Sequence, residues 1–177
     1  MSQLPTLLPA PGAPAPVGVV IRPVDGADGI GLGSFYDHLS ADSRRSRFLG
    51  SGAQISPRQC EAFCEVDHRR REGFVAVLSE QGPRDGLIVG HICLEPTEPE
   101  QEAIGLVVAD SFQGRGIGRR LVGAALKSAR QRGVRELVAR SVAGSGRMLR
   151  LLHLIPGEST IVAANGGVAE AVIPLSV

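Results

Sequence analysis

Lysine is nearly absent from this chain: Lys127 is the only one among 19 basic residues. A phosphate loop of the Gly-Lys-Ser/Thr type needs a lysine at the end of its glycine run, and Lys127 falls inside a predicted helix, so that class is excluded. Cysteine is also scarce. Cys60, Cys64 and Cys93 are odd in number in a 177-residue chain without a secretory-type start, which argues for reduced thiols and against a disulfide framework. No charge of one sign dominates: a net +1 and a pI near 7.8 supply neither a basic surface for nucleic acid nor a polybasic membrane anchor. No apolar run approaches the ~20 residues of a membrane span. The first 17 residues are rich in Pro and Ala and carry no charge, so they lack the basic start of a signal peptide and read as a flexible tail. With 43% hydrophobic residues, positions 18–177 are expected to form one cytoplasmic domain with a full core.

What the chain has instead is glycine in one place where it counts. Residues 106–121 read Leu-Val-Val-Ala-Asp-Ser-Phe-Gln-Gly-Arg-Gly-Ile-Gly-Arg-Arg-Leu, a strand passing through a glycine turn into a helix. A helix that begins on Gln113-Gly114-Arg115-Gly116-Ile117-Gly118 leaves its first N–H groups free to converge on an anion, most naturally a diphosphate. The dinucleotide pattern Gly-x-Gly-x-x-Gly fits poorly, because Gly118 comes one position early.

Elsewhere, hydrophobic periodicity and turn residues predict the remaining elements. Val17–Val24 reads as a first strand, Asp28 as the cap of a helix through Leu39, Ser40 as the cap of a second over Ala41–Leu49, and Ser56-Pro57 as the start of a third. Gly73–Ser79 and Leu87–Leu94 form an expected antiparallel pair. A strand Ile104–Val108 precedes the glycine turn, a helix Arg115–Arg132 follows it, and then comes a strand Glu136–Val142. Ser145 can cap a helix through about Leu154, and a hairpin around Asn165-Gly166 closes the chain. Cys60, Cys64 and His68 are spaced by four, as metal ligands on a helix would be, but two cysteines beside Phe63 fit a core better, and no metal is expected.

The turn and its surroundings resemble the coenzyme A signature of the GNAT superfamily of N-acyltransferases, Gln/Arg-x-x-Gly-x-Gly/Ala, matched by Gln113, Gly116 and Gly118. The stretches Ile21–Val24, Phe35–Phe48 and Val66-Asp67 are most similar to bacterial protein-lysine acetyltransferase domains. That resemblance implies an α+β fold with a mixed, mostly antiparallel sheet of about seven strands flanked by helices. It also implies acetyl-CoA as cosubstrate and a primary amine as acceptor, on a protein lysine or a small molecule, with a homodimer compatible. No nucleic-acid or membrane partner is expected. The pantetheine contacts fall on Leu106, Val107 and Val108, and the diphosphate contacts on Gln113, Gly114, Arg115, Gly116, Ile117, Gly118 and Arg119.

The reacting groups match less well. Where the subgroup has a glutamate on the strand before the turn, this chain has Ala103, and Glu102 is the candidate base only if the strand start is irregular, since one residue moves a side chain to the opposite face. Glu100, Asp67 and His68 are weaker substitutes. The tyrosine acid that many relatives carry on the last helix corresponds to Leu152, followed by His153, and the asparagine before that helix to Ser145. The arginine sets 44, 45, 47 and 69–71 read as solvated faces. A second expectation follows from these losses: a GNAT-fold protein that binds coenzyme A without turnover, as a sensor or interaction module.

Overall fold

A computed structural model describes residues 18–50, 54–79, 86–144, 146–155 and 160–175, so the expected tail over 1–17 and the candidate cap Ser145 lie outside the described residues. Strand β1 (Val19–Pro23) is followed by three short helices, α1 (Gly29–Asp37), α2 (Ala41–Arg47) and α3 (Pro57–Cys64). The caps explain where these begin. Ser40 Oγ accepts the Ser43 N–H, and Ser56 and Gln59 form a reciprocal capping box with Pro57 at the first helical position. Asp25, not Asp28, does the capping ahead of α1, closing a single 3-10 turn over Gly26–Asp28. Asp28 instead takes a two-pronged ion pair from Arg22.

Strands β2 (Glu72–Leu78), β3 (Ile88–Glu98) and β4 (Gln101–Val108) lead to helix α4 (Ile117–Gln131), strand β5 (Glu136–Val142), helix α5 (Arg147–Leu152) and the hairpin β6 (Thr160–Asn165) and β7 (Val168–Pro174). The hairpin turn is Gly166-Gly167, one residue later than expected, because both central residues have positive φ, 58° and 80°, which glycine alone adopts without strain. The β3–β4 hairpin is longer than the sequence pattern predicts. Pro96 does not end β3 at Leu94; the strand stays in regular register with β4 through Pro96↔Glu102 and, past a bulge, pairs on to Glu98↔Gln101.

The seven strands form one sheet in the order β1-β2-β3-β4-β5-β7-β6. All pairs are antiparallel except β4–β5, which is parallel. Alternation sorts the side chains of β3 and β4 onto two faces. Gly90, Ile92, Leu94, Glu102, Ile104 and Leu106 face α4, whose buried stripe is Ile117, Leu121, Val122, Ala125, Leu126 and Ala129. The contact is close: a Cβ at Gly90 would fall 2.9 Å from Leu121 Cδ1. His91, Cys93, Glu95, Ala103, Gly105 and Val107 lie on the other face, with α1, α2 and α3.

Two polar devices fix α4. At its C-terminal end Arg132 holds both carboxylate oxygens of Glu102 (Nη2 to Oε2 2.8 Å), and Ser128 Oγ donates to Glu72, which also receives the Gly73 N–H and pairs with His68 at 2.7 Å. At the other end Asp110, in a 3-10 turn over Asp110–Phe112, accepts from Ser40 N–H, Ser40 Oγ and Ser43 Oγ at 2.8–2.9 Å and so ties α2 to the segment before α4. Cys60 and Cys64 are core residues, and α3 stops at Cys64, so its face does not continue to His68.

Both devices can be tested by unfolding. Glu102 is 4% exposed, and removing one partner of a buried pair strands the other charge, so Glu102→Ala should lower stability in urea by about 3–5 kcal/mol. Partial burial would raise the Asp110 pKa, but the Ser40 N–H and the Ser43 and Ser40 hydroxyls outweigh it and hold the carboxyl below its ordinary value. A depressed folded pKa contributes stability above the unfolded pKa, about 3.9, and loses it as pH falls through the folded value. Asp110→Asn should therefore lower Tm at pH 7, with the deficit closing as both proteins are taken below pH 4.

Candidate active site

The site begins where one strand pair comes apart. β4 is paired with β5 only from Gln101↔Glu136 to Ile104↔Ala139, whereas β5 continues to Val142 against β7 and β4 continues to Val108 against β3 alone. From Gly105 onward the two parallel strands diverge, leaving one backbone edge of Leu106, Val107 and Val108 without a sheet partner. Such an edge hydrogen-bonds an extended amide chain laid along it. An opening of about 980 Å³ follows this wedge and runs from Glu95 and Ala103, past Gly105–Val108, to Gln113–Arg119, with Arg140 and Ser141 of β5 and Leu151, His153 and Leu154 at its other wall.

At the far end is the glycine turn. The helix starts at Ile117, two residues later than expected, because Gly114 (φ 73°) and Gly116 (φ 77°) are left-handed and Gly116 is the N-cap. No side chain caps it. The first backbone bond found is Arg120 N–H to Gly116 O at 3.2 Å, so the N–H groups of Ile117, Gly118 and Arg119 are left for a ligand at the positive end of the helix dipole. Gln113, first residue of the motif, turns inward: its Nε2 donates to Val108 O at 3.0 Å and to Ser43 Oγ at 3.3 Å, fixing the turn to the end of β4. Gly116 must be glycine for its φ. Gly118 need not be, since a Cβ there would meet Leu106, Leu154 and Val108 at ordinary distances of 3.7–3.9 Å.

At the apex of the wedge stands Arg47, which sequence patterning treats as part of a solvated face. Its guanidinium occupies the space above Gly105, within 2.6 Å of where a Cβ would be, so any side chain there would displace it. It donates to Cys93 Sγ at 3.0 Å and lies over the rings of Phe48 and Phe63 at 5.2 and 5.5 Å. Burial, only partly offset by Arg47, pushes the Cys93 thiol up, so it is a packed thiol and not a thiolate nucleophile. Behind it, Tyr36 Oη and His91 Nδ1 share a hydrogen bond of 2.9 Å. Burial and then the nearby Arg47 push His91 down to about 3, which keeps its imidazole neutral. The only tyrosine is thus a core residue.

The structure does not bring the candidate base to the cleft. Through Glu102 the β3–β4 ladder stays in register, so Glu102 faces α4 and is held by Arg132 on the side opposite the wedge. Glu100 sits in the β3–β4 turn (φ 62°), paired with Arg135 at 3.2 Å. Asp67 closes its own loop by accepting the N–H groups of Arg69, Arg70 and Arg71, and His68 is bound to Glu72. Among the described residues lining the cleft, Glu95 is the one carboxylate. It is directly opposite Ala103 in the ladder and is held by Arg71 (Nε to Oε2 2.7 Å, Nη2 to Oε1 2.8 Å). A hairpin register counted back from Ala103 would have found it, had Pro96 not marked a strand end. Leu152, at the position of the tyrosine acid, is half-buried against the core, and His153 is exposed at the rim.

Comparison with known proteins agrees with this geometry. The model of the acetyltransferase (GNAT) family matches residues 35–152. An acetyltransferase of Pseudomonas aeruginosa is 29% identical over 121 residues, which cover 67% of this chain and 63% of that relative. The chain therefore aligns with somewhat less than two thirds of that protein's length. Among solved structures, the GNAT domain of S. lividans PAT superposes with a TM-score of 0.75 at 22% identity, over 88% of this chain and 89% of that one. The yncA protein of Salmonella typhimurium, solved with its cofactor acetyl-CoA, gives a TM-score of 0.70 at 18% identity over 90% and 95%. At these identities the superpositions establish the fold. Because the family match runs from α1 through the glycine turn to the end of α5, the chain belongs to the acetyltransferase (GNAT) family.

Proposed function

We propose that this protein transfers the acetyl group of acetyl-CoA to a primary amine by direct attack of the amine on the thioester, with a lysine side chain of a protein as the favoured acceptor and a small-molecule amine as the alternative. The observation that carries the reading is the divergence of β4 from β5 at Gly105, directly upstream of a helix whose N-terminus is built from left-handed glycines. The diphosphate sits at the turn Gln113–Arg119 on the N–H groups of Ile117, Gly118 and Arg119, where neither anion nor cradle needs a special side chain beyond glycine. The pantetheine amides run along Leu106, Val107 and Val108, which brings the thioester to the apex beside Gly105. When bound, acetyl-CoA supplies an activated acyl group. The chain supplies the orientation, an apolar wall from Phe48, Phe63 and Leu151, and a half-buried cation, Arg47, close to where negative charge develops on the carbonyl oxygen. The reading belongs with the cytoplasmic pool of acetyl-CoA.

A second reading is favoured by one specific feature. Ala103 and Leu152 occupy the positions where the resemblance expects a glutamate and a tyrosine, and Glu102 is committed to Arg132. A protein that binds coenzyme A as a sensor or interaction module, without turnover, would need neither group. A coenzyme thiol of pKa ~8.5 leaves without an acid, so the missing tyrosine alone does not exclude catalysis.

Isothermal titration separates binding from the fold. Wild-type protein should bind acetyl-CoA, and Gly116→Asp should weaken it by at least ~100-fold through a strained φ and a carboxylate set against the diphosphate. Gly118→Ala, whose Cβ has room, should stay within about threefold of wild type. No binding to wild-type protein at millimolar acetyl-CoA would end both readings, whereas tight binding with no thiol release across a panel of lysine peptides, polyamines and small amines would select the second.

A further inference from the structure

The acceptor end of the cleft contains a carboxylate that no motif predicts. Glu95 and Ala103 are direct partners in the antiparallel β3–β4 ladder, so their side chains leave the sheet on the same face, with Cβ atoms roughly 4.5–5.5 Å apart. That face is the one on which Cys93 and Gly105 meet Arg47. Two residues of strand separate Glu95 from Cys93 and the apex, roughly 7 Å along the chain, a gap that an amine nitrogen or one water fills. A one-residue shift along β4 would put a carboxylate on the wrong face, as Glu102 illustrates. A one-strand shift across the ladder keeps it on the right face.

We propose that Glu95 is the carboxylate that receives the acceptor's amino group and takes its proton, standing across the strand pair from Ala103. The proposal rests on the acetyl-transfer reading. Arg71 engages one lone pair on each Glu95 oxygen and leaves the others free to accept from the amine. The pair is about one third exposed on each side, so solvent reaches it, and Arg71 fixes the carboxylate's direction while the remaining lone pairs stay available. Arg47 and Arg71 place two cations near one carboxylate, which favours the neutral form of an arriving amine and keeps Glu95 ionised, so that it passes a proton on rather than retaining it. An ammonium group gives one proton to Glu95. The nitrogen lone pair then forms the C–N bond, the C–S bond breaks with its electron pair on sulfur, and the nitrogen's surplus proton ends on that sulfur. Glu95 releases its proton to solvent, so the sum is an amide, free coenzyme thiol and one proton.

The test compares wild-type protein, Glu95→Gln, and Glu95→Gln carrying Ala103→Glu, using thiol release from saturating acetyl-CoA with a lysine-containing peptide and with the polyamine and small-amine panel, alongside titration of acetyl-CoA itself. Glu95→Gln should bind acetyl-CoA within about twofold of wild type and lose about 10²-fold or more in kcat/KM for the amine. The Ala103→Glu addition should recover at least about tenfold by returning a carboxylate to the same face. A side chain needed only for folding would not be rescued from the neighbouring strand. Wild-type turnover retained in Glu95→Gln, or lost in it with no recovery in the double variant, overturns the assignment while leaving acetyl transfer intact. Acetyl-CoA binding by wild-type protein with no thiol release from any amine overturns both.

Discussion

A strand that pairs fully on one side and only halfway on the other determines how this protein is built. β4 keeps an unbroken ladder with β3 from Glu102 to Val108, but gives up β5 after Ile104. Backbone groups inside a sheet must be paired, and β5 satisfies its own by turning to β7 as far as Val142. The unpaired edge of Leu106–Val108 then has no partner in the sheet and opens into the cleft. Gly105 marks the point of departure, and its missing Cβ is what lets the Arg47 guanidinium reach the apex.

The wedge would be of little use if α4 did not begin in the right place beside it. Apolar packing sets the helix against β2 and β3, close enough that Gly90 has no room for a side chain. The polar contacts set its rotation and its two ends: Arg132 with Glu102 and Ser128 with Glu72 at the C-terminus, and Gln113 with Val108 O and Asp110 with α2 before the N-terminus. The C-terminal pairs lie outside the cleft lining, whereas Gln113, Val108 and Ser43 belong to it. Glu102 is therefore a carboxylate that serves the cleft only by holding the helix above it, and its burial without solvent exchange suits that role better than proton transfer.

On the opposite face, α2 with its C-cap and α3 supply the cleft with Arg47, Phe48 and Phe63 rather than with acids. The neutral His91 and the Tyr36 hydroxyl complete a buried polar layer beneath them. The result is a site with Arg47 at the apex and, among the described residues, a single lining carboxylate, Glu95.

Much of this was legible along the chain. Periodicity and caps locate the helices to within a few residues, and the left-handed φ of Gly114 and Gly116 is the local reason for glycine at the turn before α4. The helix begins two residues later than the pattern predicts for the same reason: the left-handed glycines belong to the cap and not to the helix. What the sequence alone could not decide is which acidic residue faces the cleft. Glu102 is nearest to the motif in sequence, but facing alternates with every residue and the ladder runs regularly, so it ends under α4. Glu95 and Arg47 are eight and 58 positions from Ala103 and Gly105 in the chain, and become their neighbours only when β3 folds back on β4 and α2 packs across the sheet. Local backbone chemistry is written in sequence; the meeting of side chains across strands is set by register, which exists only in the folded sheet.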